Sequence, residues 1–152
     1  MAADLTELDA IDYKLVQLLR QDARRSFRDL ASEVHLSPAA TTARVHSLEE
    51  SEVITGYQAQ INMGLLGRQT KAIVRLTSSH TTTPSVTGAE KFAANHPAIR
   101  TTFRVLGDCD VIFYVEAVDL QELDRLVSDL GRYGITNTTM VVSVVENDPV
   151  LD

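Results

Sequence analysis

Two stretches of this 152-residue chain carry side chains whose types and spacing could do chemistry. In residues 26–51, arginines stand near small polar residues, a combination that suits contacts to a phosphate backbone and to base edges. In residues 107–110, Asp108 and Asp110 flank Cys109, and two carboxylates this close could support acid–base catalysis or bind a hard metal ion. Ordinary turn chemistry also accounts for them, because Gly and Asp favour hairpin turns. An enzyme is therefore the less favoured interpretation.

The remaining reactive side chains show no catalytic or cofactor-binding pattern. The four histidines, His35, His46, His80 and His96, lack metal-ligand spacing. The sequence also has no P-loop, dinucleotide-binding or nucleophile-elbow motif. We therefore expect no metal and no cofactor.

Composition narrows the choice of partners. Fourteen Lys and Arg against twenty-one Asp and Glu give a formal charge of −7, which repels nucleic acid at long range. Binding to double-stranded DNA would therefore depend on a local cluster of positive charge. The N-terminus lacks the features of a signal peptide, and no apolar stretch reaches the ~20 residues of a membrane span. Together with the single cysteine, these features predict a cytoplasmic protein that does not enter membranes.

The first ~55 residues have apolar positions at helical spacing, which predicts three helices. Thr6 and Asp9 indicate a capping box at the start of the first helix, and Ser26 begins the second. Ser37, followed by a proline, begins a third helix that runs to about residue 51. A short helix, a brief turn and a second well-capped helix form a helix-turn-helix. The apolar residues that recur at helical spacing in the second helix are Phe27, Leu30, Ala31 and Val34.

The third helix can be divided into faces because each residue advances ~100° around the axis. Thr41, Val45 and Leu48 define its inward side. Small outward residues let a helix approach the floor of the major groove, where Ser, Thr and His can bond to base edges. The predicted DNA contacts on this helix are Ser37, Ala39, Thr42, Ala43, Arg44, His46 and Ser47. The predicted phosphate contacts are Arg24, Arg25 and Arg28, with Arg20 nearby. The alternative is a three-helix packing or dimerisation domain with a solvated arginine face.

The second half of the chain alternates strand and helix patterns. The order strand, helix, strand, strand, helix, strand is that of a ferredoxin-like βαββαβ fold, so the expected fold class is α+β. Helices would cover only one face of this sheet, yet residues 140–145 are apolar at both alternating sets of positions. A partner subunit is the simplest cover for the other face. The predicted strands are residues 70–77, 99–106, 111–118 and 135–146, with a further one at 57–61 in the connector.

A resemblance to the Lrp/AsnC family of transcription regulators rests on two segments. The DNA-binding half of the family is similar to LDAIDYKLVQLLRQDARRSFRDLASEVHLSPAATTARVHSLEESEVITGY, and its ligand-sensing half is similar to LGDCDVIFYVEAVDLQEL. The combination of LDxID, LSPxxxxxRVxxLE, IxGY and GDxD at this spacing is specific. The resemblance implies a winged helix-turn-helix in residues 1–54, a strand hinge in 55–68 and a ferredoxin-like sensing and oligomerisation domain in 69–152.

The family's assembly and effector chemistry are implied in the same way. Members form homodimers through their sheets and often assemble into octamers, and an amino acid or related small metabolite binds between dimers near the GDxD turn. An aspartate of the turn would pair with the effector's ammonium group, and turn N–H groups with the Thr138 hydroxyl would donate to its carboxylate. The implied effector-binding residues are Leu106, Gly107, Asp108, Cys109, Asp110, Thr138 and Met140.

Several residues depart from the family pattern. His35 and Glu52 stand where helix exits usually have glycine, so each must adopt a left-handed conformation or distort its turn. His46 and Ser47 replace common arginines, which predicts low DNA affinity per subunit and binding by several dimers together. Cys109 replaces an aromatic residue, and a threonine is replaced at position 140, so the pocket is expected to be less polar.

The residues and the resemblance together favour a sequence-specific DNA-binding transcription regulator rather than an enzyme. The alternatives are a tetrapyrrole-decarboxylase-like enzyme on the same architecture and a regulator partner that has lost DNA binding.

Overall fold

The computed structural model describes residues 8–78 and 83–145, which cluster into two compact units. The division between the units falls between Gln60 and Ile61. Within the described ranges, none of the helices has the length and hydropathy that a membrane span requires.

The first unit consists of three helices, α1 (Ala10–Gln21), α2 (Phe27–Glu33) and α3 (Pro38–Glu50). The predicted capping box at Thr6 and Asp9 is wrong in position, because Asp9 is itself the N-cap of α1. The Asp9 side chain accepts bonds from the N–H groups of Ile11 and Asp12, and the Asp12 carboxylate bonds back to the Asp9 N–H. Thr6 lies outside the described residues.

The core of the first unit is formed by leucines and valines from all three helices. Thr41, Val45 and Leu48 are 0–2% exposed, which confirms the predicted inward side of α3. In the apolar repeat of α2, Leu30, Ala31 and Val34 are buried, whereas Phe27 is 40% exposed because it is the first residue of the helix. The remaining buried apolar residues are Leu15, Leu18, Leu19, Leu30, Ala31 and Val34.

Both helix exits that lack glycine adopt the left-handed conformation. His35 has φ 56° and Glu52 has φ 58°. After α2, the N–H groups of His35 and Leu36 bond to carbonyls of the last turn, which closes the helix in the Schellman pattern. The turn of the helix-turn-helix therefore forms without glycine.

The second unit has the predicted βαββαβ order and an antiparallel four-stranded sheet with strand order β2-β3-β1-β4. Its core lies between the sheet and the helices, where Val74, Leu76, Phe113 and Val115 are all fully buried. Helices and strands in chain order are β1 (Thr70–Thr77), α4 (Thr83–Ala94), β2 (Ile99–Arg104), β3 (Val111–Ala117), α5 (Leu120–Leu130) and β4 (Ile135–Met140).

The strands predicted at 70–77, 99–106 and 111–118 match the structure to within two residues at either end, whereas two other strand predictions differ more. Residues 57–61 belong to no sheet in the described protomer, because a strand needs a hydrogen-bonded neighbour and none is paired with them. The last strand ends at Met140 rather than at 146, because among the described residues the last pair with β1 is Ala72–Met140, followed by one more bond, from the Val141 N–H to the Lys71 carbonyl at 2.9 Å. Val142 and Val145 are 98% and 78% exposed, so the apolar tail of this strand is uncovered in the protomer.

The sheet face opposite the helices is uncovered as well. Along β1, residues Ala72, Val74 and Leu76 face the core, so Ile73 and Arg75 lie on the opposite face. Ile73 and Phe103 are 37% and 52% exposed there. This helix-free face thus presents apolar side chains to solvent in the protomer.

Candidate nucleic-acid interface and effector turn

Polar contacts at its N-terminus fix where helix α3 begins. The Ser37 side chain accepts a bond of 3.2 Å from the Ala40 N–H, and Pro38 occupies the first helical position. The buried Thr41 hydroxyl donates to the Ser37 carbonyl at 3.1 Å. The helix consequently has a single defined start, immediately after a turn of three residues.

The predicted outward face of α3 is exposed. Ala39 and Ala43 add little bulk, while His46 and Ser47 provide the polar groups of the same face. Thr42 is half-buried and its hydroxyl donates to the Pro38 carbonyl at 2.9 Å, so its oxygen remains only as an acceptor for a base or phosphate. The outward side is therefore an exposed strip of small side chains with the polar groups of His46 and Ser47.

Arg44, one of the predicted DNA contacts, is ion-paired within the protomer. Its Nη1 atom lies 2.8 Å from the Asp9 carboxylate and 2.8 Å from the Asp12 carboxylate, both at the start of α1. The Asp12 N–H, burial and the Arg44 guanidinium act on the pKa of Asp9, and their balance lowers it. The two carboxylates raise the pKa of Arg44. The guanidinium is thus bound to two carboxylates of its own protomer, which sequence spacing alone did not reveal.

The predicted phosphate contacts divide into two kinds. Arg24 and Arg28 are exposed, and no carboxylate of the described residues lies within 4 Å of either guanidinium. Arg25 is half-buried and lies 3.9 Å from the Glu33 carboxylate. Because a phosphate contact needs an accessible cation, Arg24 and Arg28 are better suited to this role than Arg25.

Two side-chain contacts of the first unit escaped the sequence analysis. The exposed Phe27 ring makes an edge-to-face contact with His46, with ring centroids 6.3 Å apart and an interplanar angle of 82°. Tyr57 donates from its hydroxyl to the Glu49 carboxylate at 2.7 Å, and burial together with this bond raises the pKa of Tyr57 to about 12. The ITGY sequence could have indicated the Tyr57 contact, because a tyrosine just after a helix exit can reach back to that helix.

The GDCD turn is tied to the end of β1. The Asp110 carboxylate accepts a bond of 2.7 Å from the Ser78 N–H, and the Thr77 hydroxyl donates to the Asp108 carbonyl at 3.2 Å. Gly107 has φ 149° and open space around it, and Leu106 is fully exposed. Asp108 is exposed and Cys109 half-buried. The Asp110 carboxylate therefore has a structural bond, whereas the Asp108 carboxylate faces solvent.

Thr138 and Met140 lie away from this turn within one protomer. Thr138 pairs with Val74, three residues along β1 from Thr77, or about 10 Å at the rise of a strand. Met140 pairs with Ala72, about 17 Å along the same strand. The seven predicted effector residues are not brought together by a single protomer.

A buried acidic group lies on the helix-free face of the sheet. Glu116 is 7% exposed and lies 3.6 Å from the Lys71 Nζ and 3.5 Å from the Arg100 Nε. Tyr114 donates to the same carboxylate at 3.2 Å, and burial followed by the negative charge of Glu116 raises the pKa of Tyr114. No group of three or more metal-ligating side chains occurs in residues 8–78 and 83–145.

Two family models match this chain. An AsnC-type helix-turn-helix domain matches residues 8–49, and an Lrp/AsnC ligand binding domain matches residues 71–151. Together they span both structural units.

Named relatives and a solved structure agree with these matches. The chain is 34% identical over 146 residues to the Bkd operon transcriptional regulator of Pseudomonas aeruginosa, with 93% of this chain and 95% of the relative covered. It is 31% identical over 121 residues to the leucine-responsive regulatory protein of Rhizobium meliloti, with 80% and 78% covered. The structure of Bacillus subtilis LrpC superimposes with a TM-score of 0.85 at 25% identity, covering 93% of this chain and 99% of that one.

Proposed function

This chain belongs to the Lrp/AsnC family of transcriptional regulators, and we propose that it reads DNA with the outward face of α3, using Ala39, Ala43, His46 and Ser47. The observation that carries the proposal is the exposure of this strip on a helix whose opposite side is fully buried. Small side chains let the helix backbone approach a major groove, and the polar groups bond to base edges. Arg24 and Arg28 contact phosphates beside the groove.

The membership confirms the expectation that the protein is not an enzyme, because the family and its named relatives are transcriptional regulators. It gives no support to a tetrapyrrole-decarboxylase-like activity. The other alternative is a regulator partner that has lost DNA binding; the departures at His35 and Glu52 that would favour it both fit their helix exits in the left-handed conformation. The proposal places the protein in the cytoplasm, with the DNA that it regulates.

Contacts to phosphates and contacts to bases should respond differently to substitution, which gives a direct test. Arg28→Ala should weaken binding to all duplexes alike and reduce the slope of log affinity against log salt by about 0.9. His46→Ala should leave the salt slope unchanged and alter the sequences selected from a random duplex pool. If His46→Ala selects the same sequences as the wild-type protein, then this face does not read bases.

Assembly into dimers and octamers is part of the proposal, and the helix-free face supports it. Exposed Ile73, Phe103 and the apolar residues after β4 suit coverage by a second copy. Each α3 offers little positive charge, so several dimers engaging one DNA would raise the apparent affinity by ~100-fold or more. A forced dimer that bound long DNA as tightly as the full assembly would refute the multivalent account.

The proposed effector is an amino acid or a close derivative, bound at the GDCD turn between protomers. The domain match to a ligand binding domain supports an effector, and one relative is named as leucine-responsive. The distance of Thr138 from the turn supports a site completed by a second protomer. The exposed Asp108 carboxylate is the better partner for an ammonium group, since Asp110 already bonds to the Ser78 N–H.

Calorimetry across the amino acids tests the effector site. Asp108→Asn should abolish the heat of binding while leaving the turn intact, because the Asp108 contact to β1 uses its backbone carbonyl. Asp110→Asn keeps an oxygen for the Ser78 N–H and serves as the matched control. An unchanged heat in Asp108→Asn would remove this carboxylate from the site.

A further inference from the structure

A polar junction joins the start of α1 to the middle of α3. A single nitrogen of Arg44 bonds to two carboxylates at 2.8 Å each, and the Asp12 side chain is only 15% exposed. Both carboxylates are fixed independently of Arg44, because they form the capping box of α1 with each other's backbone. The guanidinium therefore binds a site that helix α1 has already arranged.

The buried side chains of α3 do not by themselves fix its rotation about the helix axis. Only Thr41, Val45 and Leu48 are buried on α3, and all three lie on one narrow stripe. A stripe of short side chains holds a helix against its neighbours but resists rotation about the helix axis weakly. Arg44 projects from the flank of that stripe, so a fixed guanidinium restrains rotation where the stripe does not.

The junction carries no net positive charge that could attract DNA. One guanidinium with two carboxylates carries a net charge of −1, so Arg44 adds no attraction for phosphates as long as the contacts persist. By contrast, the exposed Arg28 has no carboxylate of the described residues within 4 Å. The two arginines should therefore respond differently to substitution.

We propose that Arg44 is a positioning residue for DNA recognition, in which the junction with Asp9 and Asp12 sets the rotation of α3 and thereby aims its outward face at the bases. The inference rests on the proposed function of α3. It reassigns Arg44 from the DNA contacts to the protein framework that makes those contacts selective.

Two measured quantities separate positioning from the other roles. The first is the ratio of affinity for a duplex selected by the wild-type protein to affinity for a random duplex of equal length. The second is the slope of log affinity against log salt, which falls by about 0.9 for each lost phosphate contact. Loss of positioning lowers the ratio and leaves the slope unchanged, because base contacts are misaligned while phosphate contacts remain.

The experiment uses the full-length chain, two single variants at the junction, their double variant and one control variant. Arg44→Gln should lower the selectivity ratio at least ~10-fold, since that is the discrimination that a single good base contact supplies. Asp12→Asn should lower the ratio in the same direction, and the double variant should lose less than the sum of the two. Arg28→Gln is the matched control, with a flatter salt slope and an unchanged ratio.

Other results would overturn the inference. A flatter salt slope in Arg44→Gln, or tighter binding of both duplexes by Asp12→Asn, would mean that Arg44 contacts phosphate. An equal loss on both duplexes with an unchanged slope would mean a purely structural role. Asp12→Asn decides the matter if Arg44→Gln does not fold. Failure of the wild-type protein to select any sequence would instead contradict the proposed function itself.

Discussion

Helix α3 and strand β3 occupy comparable central places in their units, yet they are held by different forces. Three residues of α3 are buried, and its orientation depends on a serine cap and on the ion pairs of Arg44. Strand β3 is paired on both sides and buries Val111, Phe113 and Val115 completely. In the DNA-binding unit, a few polar contacts therefore set the orientation of α3 and its proposed DNA-reading face. In the sensing unit, apolar burial and strand pairing hold β3.

Equal truncations in the two units should give unequal losses of stability. Phe113→Ala removes a fully buried ring from the centre of the sheet and should lower the free energy of unfolding by about 3–5 kcal/mol. Phe27→Ala removes a 40% exposed ring and should cost less than about 1 kcal/mol. Urea unfolding followed by circular dichroism measures both. Similar losses for the two variants would contradict the contrast between the units.

Phe27→Ala should also differ from Phe113→Ala in its effect on the DNA sequences that the protein selects. The Phe27 ring contacts the His46 imidazole, so its loss should alter the sequences selected from a random pool although stability changes little. Phe113→Ala should reduce the fraction of folded protein without changing which sequences are selected.

Replacing the left-handed residue before α3 by glycine should change stability by a smaller amount, and in the opposite direction to the same replacement within α2. His35→Gly relieves a non-glycine residue at φ 56° and should stabilise the first unit by about 0.5 kcal/mol after the entropy of glycine is counted. Ser32→Gly, on the exposed side of α2, introduces the same residue into a helix and should destabilise by about 0.5–1 kcal/mol. Changes of the same sign in urea midpoints would refute the strain at His35.

The smallest expected effect is a pH dependence of the connector contact. Tyr57 has a pKa of about 12 in the folded protein against an ordinary value of 10, so its contribution is complete below pH 10 and is lost as the pH rises towards 12. The stability of the wild-type protein should therefore fall more steeply over this interval than that of Tyr57→Phe. Parallel declines in the two proteins would show that the Tyr57 bond to Glu49 contributes nothing.

The sequence predicted features that follow from local periodicity and turn chemistry. The inward side of α3, the βαββαβ order and the Ser37 cap were all accessible in this way. The Arg44 ion pairs were not, because they join residues more than thirty positions apart and a charged flank residue looks equally suited to DNA. The missing strand at 57–61 has a similar cause, since strand formation depends on a neighbour that periodicity does not identify.

At the GDCD turn, the proposed effector site, the family resemblance predicts the location but not the contacts of each side chain. The GDCD motif located the turn, but the structural bond between Asp110 and the Ser78 N–H depends on how β1 and β3 are paired. The separation of Thr138 from the turn likewise follows from the strand register. These features decide which aspartate is available, and only the folded chain displays them.

The most direct test of the central claim is to block the outward face of α3 without disturbing its fold. Ala43→Leu adds bulk at an exposed position where the two residues have similar helix propensities, so the free energy of unfolding should change by less than about 0.5 kcal/mol. Gln121→Leu, at an exposed position on α5, is the matched control. The account predicts that Ala43→Leu lowers affinity for the selected duplex ~100-fold, equivalent to losing one or two base contacts, while the control binds normally. Unchanged affinity in Ala43→Leu would contradict the claim that this face enters the groove.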